Sequence, residues 1–308
     1  MNQMGVLDGR VAVVTGSGRG LGRVEALELA KLGARVVVND LGVAADGSGT
    51  DESAGQAVVD EIKSMGGEAV AHFGDVGDWN DSKAMVQTAI ETFGDINILV
   101  NNAGFCRDKM IFSMSEEEFD SVIRVHLKGH FLSIRHASEY WRAKAKAEGS
   151  VYGRIISTAS EAAIFSSPGQ PNYSAAKAGI IQVTNSAAQA LIKYGVTANT
   201  FMPRARTEMT TSGVTGEMFA KPEEGFDPWR PENIAPLVGY LASPDAGNVS
   251  GNVFVIWGKE IAVLDSIRRA GEFQCGDDGW THESVAENLN RFFEGKQPIK
   301  DSFIVSPI

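Results

Sequence analysis

Short apolar runs alternate with amphipathic stretches along most of the chain. Seven runs of five or six residues are rich in aliphatic, often β-branched side chains, which is typical of parallel strands buried on both faces. They cover residues 10–15, 35–39, 68–73, 96–101, 153–158, 196–201 and 252–256. Helical periodicity fills the intervals, at residues 21–32, 53–65, 79–93, 127–146, 173–194 and 233–241. A capping box, Ser115 with Glu118, predicts one more helix start.

This alternation predicts an α/β fold, because a helix between two parallel strands makes a right-handed crossover that covers one face of the sheet. We predict a single Rossmann-type, doubly wound parallel sheet of seven strands with a C-terminal extension. A glycine-rich insertion at residues 42–52 lies outside the alternation. The main domain is predicted over residues 1–258. Residues 259–308 form a tail with a capped helix at 281–293, expected to pack on the same domain or on a partner subunit.

Composition narrows the function classes. The 308 residues carry a net charge of -11, which argues against a nucleic-acid partner. Two cysteines, Cys106 and Cys275, suit a reducing compartment and suggest no metal site. No apolar run approaches the roughly 20 residues of a membrane span, and residues 1–10 lack the apolar core of a signal peptide. We therefore expect a cytoplasmic protein that does not bind membranes.

A glycine-rich turn follows the first predicted strand. Gly16, Gly20 and Gly22 stand where a sharp turn must bring backbone close to a pyrophosphate, at the N-terminus of a helix. The 1–258 domain is therefore predicted to bind a dinucleotide. Asp40 ends the second strand, where a carboxylate accepts hydrogen bonds from ribose hydroxyls and repels a 2′-phosphate, which favours NAD. Arg19 in the turn is the opposing signal, because an arginine can meet a 2′-phosphate.

Tyr173 and Lys177 are one helical turn apart, and Ser160 stands thirteen positions before the tyrosine. A free tyrosine has a pKa near ~10 and is a weak base at neutral pH. The lysine charge favours the phenolate and is expected to lower the tyrosine pKa. The serine hydroxyl can hold the oxygen of an alcohol or ketone. These three residues are the predicted catalytic group.

The sequence resembles the short-chain dehydrogenase/reductase family over residues 8–257, through the Thr-Gly-x-x-x-Gly-x-Gly turn, Asp75-Val76, Asn101-Asn102-Ala103-Gly104, Ser160 and Tyr173 with Lys177. The resemblance implies that Asp75 meets the adenine amino group and Val76 flanks the ring. It also implies that Thr207 contacts the nicotinamide carboxamide. The predicted dinucleotide-binding residues are Gly16, Gly18, Arg19, Gly20, Leu21, Gly22, Asp40, Asp75, Val76, Asn102, Ala103, Gly104, Tyr173, Lys177, Pro203 and Thr207.

Two positions depart from the family pattern. His126 stands where the family carries a catalytic asparagine, so it is either a member of the proton relay or a packing residue. Arg204 replaces the usual glycine after Pro203. Arg204, Arg206 and Lys221 are either contacts for CoA phosphates or solvated loop charges.

With these departures, the sequence resembles one branch of the family. That branch contains the (3R)-hydroxyacyl-CoA dehydrogenase module of multifunctional β-oxidation enzymes and related bacterial stand-alone and steroid-active dehydrogenases. The leading hypothesis is an NAD-dependent oxidoreductase that interconverts a secondary alcohol and a ketone, on a 3-hydroxyacyl-CoA or a steroid-derived substrate. The alternative enzyme is an NADPH-dependent 3-oxoacyl-carrier-protein reductase. The third hypothesis is a non-catalytic protein that senses the dinucleotide.

A homo-oligomer, a tetramer, is expected. The helices at 127–146 and 173–194 carry apolar residues beyond one face, including Ile180, Ile181, Leu191 and Ile192. The resemblance implies that these two helices form a subunit interface.

Overall fold

The computed structural model describes residues 5–44, 46–49, 51–211, 216–265, 272–275, 277 and 280–295. The strands are β1 Val11–Thr15, β2 Arg35–Asn39, β3 Ala69–His72, β4 Ile98–Asn101, β5 Gly153–Thr158, β6 Val196–Pro203, β7 Val253–Trp257 and β8 Glu260–Leu264. The α-helices are α1 Gly20–Lys31, α2 Ser53–Ser64, α3 Trp79–Phe93, α4 Glu116–Ile123, α5 Gly129–Glu148, α6 Ala162–Phe165, α7 Pro171–Leu191, α8 Glu208–Thr211, α9 Ala235–Ala242 and α10 His282–Phe293.

All strands belong to one sheet in the order β3-β2-β1-β4-β5-β6-β7-β8. The first seven are parallel, and the chain leaves β1 toward one edge and returns at β4 toward the other. The predicted Rossmann-type, doubly wound fold is confirmed. The carboxyl ends of the strands share one edge, where such folds bind ligands.

The predicted strand number of seven is wrong by one. Strand β8 runs antiparallel along β7, with Val253 opposite Leu264 and Trp257 opposite Glu260. Residues 258 and 259 form the tight connection, and Gly258 takes a positive φ of 50° there. The residues of β8 belong to the predicted tail at 259–308. They extend the sheet because an antiparallel neighbour needs no crossover helix.

Two apolar layers explain the alternation. One face of the sheet packs against α1, α2 and α9, through residues such as Leu29, Ile62 and Leu237. The other face packs against α3, α5 and α7, where Trp141 is fully buried. Central strands such as β1 contribute alternate residues to the two layers, so their sequences are continuously apolar rather than alternating.

The helices differ from prediction mainly at their ends. Helix α4 begins at the predicted capping box, but the segment Arg124–Lys128 forms a π-helical turn before α5. The predicted helix at 173–194 ends at Leu191 and continues as a 3-10 turn over Ile192–Tyr194. Helix α10 begins after the cap residue Thr281, close to the predicted start.

The 258/259 domain division and the packing of the tail stay predictions, because residues 296–308 lie outside the described part of the chain. Within the described part, no helix combines the length and the apolar character needed to cross a membrane.

Candidate active site

The glycine turn forms the floor of a cleft at the carboxyl edge of the sheet. Gly16 has a φ of 62°, and a Cβ on it would lie 2.7 Å from the Ala103 Cα. A Cβ on Gly22 would lie 2.2 Å from the Gly16 carbonyl oxygen. The cap residue of α1, Arg19, makes no side-chain hydrogen bond to the helix. The first amides of α1 are therefore uncapped by a side chain, which suits an anionic pyrophosphate.

Asp40 is held by backbone amides on both of its carboxylate oxygens. Oδ2 accepts a 2.6 Å hydrogen bond from the Gly18 amide, and Oδ1 accepts a 2.7 Å hydrogen bond from the Gly42 amide. A Cβ on Gly18 would lie 2.9 Å from the Asp40 Cγ. The absent side chain at position 18 is thus what lets the carboxylate reach the turn.

Arg19 points to acidic partners around the mouth of the cleft. Its guanidinium lies 3.3 Å from Asp51 Oδ2 and 4.0 Å from Glu208 Oε2, with 45% of the side chain exposed. Asp51 belongs to the 42–52 insertion, which folds back so that its amide donates to the Gly42 carbonyl at 2.9 Å. Val43, Ala44 and Gly47 of the same insertion line the cleft.

The far wall holds the residues expected around the adenine. The Asp75 Oδ2 pairs with the Arg124 guanidinium at 2.6 Å, and its Oδ1 accepts from the Gly77 amide at 2.7 Å. Val76 is buried and packs against α5, where a Cβ on Gly129 would meet its Cγ2 at 2.9 Å.

Asn102 ties the loop after β4 to the glycine turn. Its Nδ2 donates to the carbonyls of Thr15 and Gly16 at 3.2 and 3.1 Å, and the Thr15 hydroxyl accepts from the amides of Asn102 and Ala103. The structure brings most of the predicted cofactor residues to this cleft: Gly16, Arg19, Gly20, Leu21, Asp40, Asp75, Val76, Asn102, Ala103, Gly104 and Thr207. The cleft lining does not include Gly18, Gly22, Pro203, Tyr173 or Lys177.

Tyr173 and Lys177 lie in the first turns of α7, and Ser160 follows β5. The Ser160 side chain hydrogen-bonds to the Tyr173 hydroxyl, and its Oγ accepts from the Ala162 amide at 3.3 Å. Lys177 is 3% exposed and donates from Nζ to the Thr158 carbonyl at 2.7 Å. The same Nζ lies 5.4 Å from the centre of the Tyr173 ring. The three predicted catalytic side chains are therefore neighbours.

The pKa of Tyr173 is raised in this geometry, and the expected lowering is wrong. Burial raises the pKa of Tyr173, the charge of Cys106 adds to that rise, and the hydrogen bond from Ser160 opposes it. Burial also lowers the pKa of Lys177 to about 8, against the attraction of Cys106 and Glu25. Desolvation is the largest cause of both pKa shifts, because burial disfavours the charged form of each group.

His126 lies in the π-helical turn, with its ring edge-on to Tyr173 at 5.3 Å between centroids. Its Nε2 lies 3.1 Å from the Phe105 amide nitrogen and 2.8 Å from the Phe105 carbonyl oxygen. Burial first, and then the charge of Lys177, keep the pKa of His126 well below its usual value, so the ring is neutral. Its part in a proton relay stays a prediction.

Several residues that lie around the catalytic group were not predicted from the sequence. Glu25 of α1 is fully buried, neither carboxylate oxygen has a hydrogen-bond partner, and it interacts electrostatically with Lys177. The Cys106 Sγ lies 3.7 Å from the Met209 Sδ beside the same group. The position of Glu25 among apolar residues of the helix was the one sequence feature that could have indicated its burial.

The two loop arginines that could have contacted CoA phosphates already pair with carboxylates of this protein. Arg204 makes a two-pronged ion pair with Glu161, and Arg206 pairs with Asp227. Both pairs are largely buried. These contacts disfavour a phosphate-binding role for either arginine.

A doubly wound sheet with a glycine-turn cleft beside serine, tyrosine and lysine defines a nicotinamide-dependent class of oxidoreductase. The family model for short chain dehydrogenases matches residues 10–217, and the chain belongs to this family. The resemblance on which the site prediction rested is thereby confirmed.

The similar proteins narrow the branch. The chain is 45% identical over 294 residues to the hydroxyacyl-CoA dehydrogenase ChsB1 of Mycobacterium tuberculosis, covering 95% of this chain and 91% of that protein. It is 42% identical to the peroxisomal hydratase-dehydrogenase-epimerase of Saccharomyces cerevisiae, covering 92% of this chain but only 30% of the yeast protein. A crystal structure of a short chain dehydrogenase from Mycobacterium avium superposes with a TM-score of 0.84 at 45% identity, covering 98% of this chain and all of that one.

Proposed function

We propose that the protein is an NAD-dependent dehydrogenase that interconverts a secondary alcohol and a ketone on a 3-hydroxyacyl-CoA or a steroid-derived substrate. The observation that carries the proposal is the adjacency of Ser160, Tyr173 and Lys177 at the carboxyl edge of the sheet, beside the glycine-turn cleft. The names of the similar proteins support the acyl-CoA class.

The side chains divide the proton chemistry among them. Ser160 orients the substrate oxygen, and Tyr173 takes or gives the proton on that oxygen. Lys177, anchored on the Thr158 carbonyl, places a cation next to the tyrosine ring, where it favours the phenolate that accepts the alcohol proton and that forms again when the phenol gives its proton to a ketone oxygen. A bound nicotinamide ring supplies or accepts the hydride. Because Lys177 is buried and Tyr173 is partly buried, the proton transfer is largely screened from bulk water.

Four contacts support NAD over NADP. Both Asp40 oxygens are fixed by amides, so the carboxylate is held beside the turn, where it opposes a 2′-phosphate. Arg19 already faces Asp51 and Glu208, which compete with any phosphate for its guanidinium.

We expect Asp40→Ala to narrow the preference for NAD over NADP by about 10-fold or more. The substitution removes one negative charge from the ribose position, and a like charge in close contact costs roughly 1–2 kcal/mol when partly desolvated. The measurement is kcat/KM with each cofactor. Asp60→Asn is the matched control, since it removes an exposed carboxylate of α2 that does not line the cleft. A wild type that prefers NADPH contradicts the assignment.

A substrate panel separates this proposal from its rivals. Hydroxyacyl-CoA esters, hydroxysteroids and acyl-carrier-protein thioesters are offered with NAD(H) and NADP(H), and the reduced nicotinamide is followed by absorbance. Turnover of CoA or steroid substrates with NAD supports the proposal. Preference for the carrier-protein thioester with NADPH supports the reductase. Binding of the dinucleotide with no turnover of any substrate supports a sensor.

We also propose a homo-oligomer, most simply a tetramer, acting in the cytoplasm. Ile180, Ile181 and Leu191 are buried within the protomer and do not argue for an interface, which corrects part of the sequence argument. Phe131 on α5 and Ile192 after α7 are 47% and 49% exposed and remain available for one. Light scattering at micromolar concentration is expected to give a mass of several protomers, and a monomer contradicts the proposal.

A further inference from the structure

An ion pair with an aromatic backing crosses the carboxyl ends of three neighbouring strands. The Arg204 Nε lies 2.6 Å from Glu161 Oε2, and its Nη2 lies 2.9 Å from Oε1. The guanidinium stacks over the Trp257 ring at 4.3 Å from its centre. Glu161 follows β5, Arg204 follows β6 and Trp257 ends β7. The contact therefore joins three chain segments that are adjacent only in the folded sheet.

The pair is rigid and enclosed. The side chains of Arg204 and Glu161 are only 6% and 10% exposed. A bidentate carboxylate–guanidinium contact fixes both distance and orientation, and the planar stack on an indole fixes the guanidinium plane. The Arg204 backbone is also tied to β7, since its amide donates to the Ile256 carbonyl at 3.0 Å. Two enclosed charges are costly to bury, so such a pair contributes more to a unique geometry than to stability.

Glu161 is the residue that directly follows Ser160. The turn after β5 runs straight into the short helix α6, and the Ser160 Oγ accepts from the Ala162 amide within that turn. The carboxylate of Glu161 anchors this turn to β6 through Arg204. A shift of Glu161 therefore moves Ser160, whose side chain hydrogen-bonds to Tyr173.

We propose that Glu161 and Arg204 are positioning residues that hold the Ser160 hydroxyl against Tyr173 and the substrate oxygen, without touching the reacting atoms themselves. This inference rests on the proposed dehydrogenase function. It also accounts for an arginine at a position where the family pattern has glycine, because glycine cannot reach Glu161.

The decisive experiment places Glu161→Gln in the wild type and in a Ser160→Ala background. In the wild type, we expect kcat to fall by about 10- to 100-fold, since a hydrogen-bond donor displaced from the reacting oxygen costs about 10²–10³ when removed outright. The KM and the NAD dissociation constant, followed by tryptophan fluorescence, should change less than about 2-fold. In the Ser160→Ala background the same change should lower kcat by less than about 2-fold, because the group it positions is already gone.

The pH profile supplies a readout that a purely structural pair would leave unchanged. The Ser160 hydrogen bond lowers the pKa of Tyr173. The groups facing Tyr173 are Ser160, Cys106, Asp108, Lys177 and the edge-on His126. Loosening Ser160 in Glu161→Gln should shift the acid limb of log kcat to higher pH. An equal fold loss in both backgrounds, or an unshifted profile with a lower melting temperature only, overturns the proposal.

Two further variants keep the test sound. Arg204→Lys retains the charge but cannot supply two parallel N–H donors, so it should reproduce the kcat loss if Glu161→Gln fails to fold. Lys144→Met is the matched control, because it removes a 2.7 Å ion pair with Asp95 just before β4, at the opposite edge of the sheet. It should leave kcat and its pH profile unchanged.

The assay uses any secondary alcohol that the wild type oxidises. An active wild type with unaffected variants overturns the role of the pair alone. A wild type that oxidises no alcohol in the panel overturns the proposed function and this inference with it.

Discussion

Tyr173→Phe is expected to lower turnover by about 10²- to 10⁴-fold, the usual contribution of a positioned acid–base group. The hydroxyl that hydrogen-bonds to Ser160 is lost, and with it the proposed proton carrier. The ring is kept, so its edge-on contact with His126 at 5.3 Å persists and the fold should be unchanged. The measurements are kcat with the preferred alcohol, and the NAD dissociation constant, which should stay within a few-fold of wild type.

The control for this variant comes from the opposite end of the same helix. Tyr194→Phe removes a phenol from the 3-10 turn that follows α7, far along the chain from Ser160. Its turnover should match wild type. If Tyr173→Phe retains activity within about tenfold, the phenol is not the proton carrier and another group must be found.

The fold was largely predictable because burial on both faces leaves a strong mark on a strand. The continuous apolar run at Val11–Thr15 belongs to two apolar layers at once, and the sequence shows this directly. Strand β8 escaped because its pattern differs: Ile261 and Val263 are exposed, while Ala262 and Leu264 are half-buried. An edge strand covered on one face does not look like the other seven.

The π-helical turn at Arg124–Lys128 could not be predicted either. The segment covers only five residues, which is too short for its different period to show in the apolar pattern. Yet this turn sets the position of His126 below Gly104, where a Cβ would meet the imidazole at 2.1 Å.

The candidate site also has parts that the sequence predicts and parts that it does not. Local motifs predicted the glycine turn, Asp40 and the tyrosine–lysine spacing, because each is defined by neighbours in the sequence. The pair of Glu161 and Arg204 spans 43 positions and depends on β5 lying beside β6. The pKa of Tyr173 depends on burial, which cannot be read from a motif. For this reason the expected lowering of that pKa was wrong.

Glu25→Gln is expected to stabilise the protein, by an amount that grows with pH. Burial raises the pKa of Glu25 from 4.5 to about 8, with the charge of Lys177 opposing the rise. Between these two pH values the folded state keeps a proton that the unfolded state has released. Stability contributed by this group is therefore full below pH 4.5 and falls by about 1.4 kcal/mol per pH unit until the folded pKa is passed.

The glutamine variant removes that loss. Near pH 5 a protonated Glu25 and a glutamine are similar neutral groups, so the free energies of unfolding should agree to about 1 kcal/mol. Near pH 8 the variant should be more stable by roughly 3–5 kcal/mol. Urea unfolding at one fixed protein concentration, followed by tryptophan fluorescence, measures the difference.

Glu28→Gln tests whether the effect belongs to the buried carboxyl. Glu28 lies in the next turn of α1, is partly exposed and pairs with Lys31 at 3.8 Å, so its removal should give no gain that grows with pH. A pH-independent change in Glu25→Gln would mean that the carboxyl is solvated or paired in the folded state. If the gain does grow, the same variant should also lower the pKa of Lys177, because the attraction of Glu25 raises it. The buried glutamate would then be a group that costs stability as the pH rises towards 8, while its ionised form favours the charged state of Lys177.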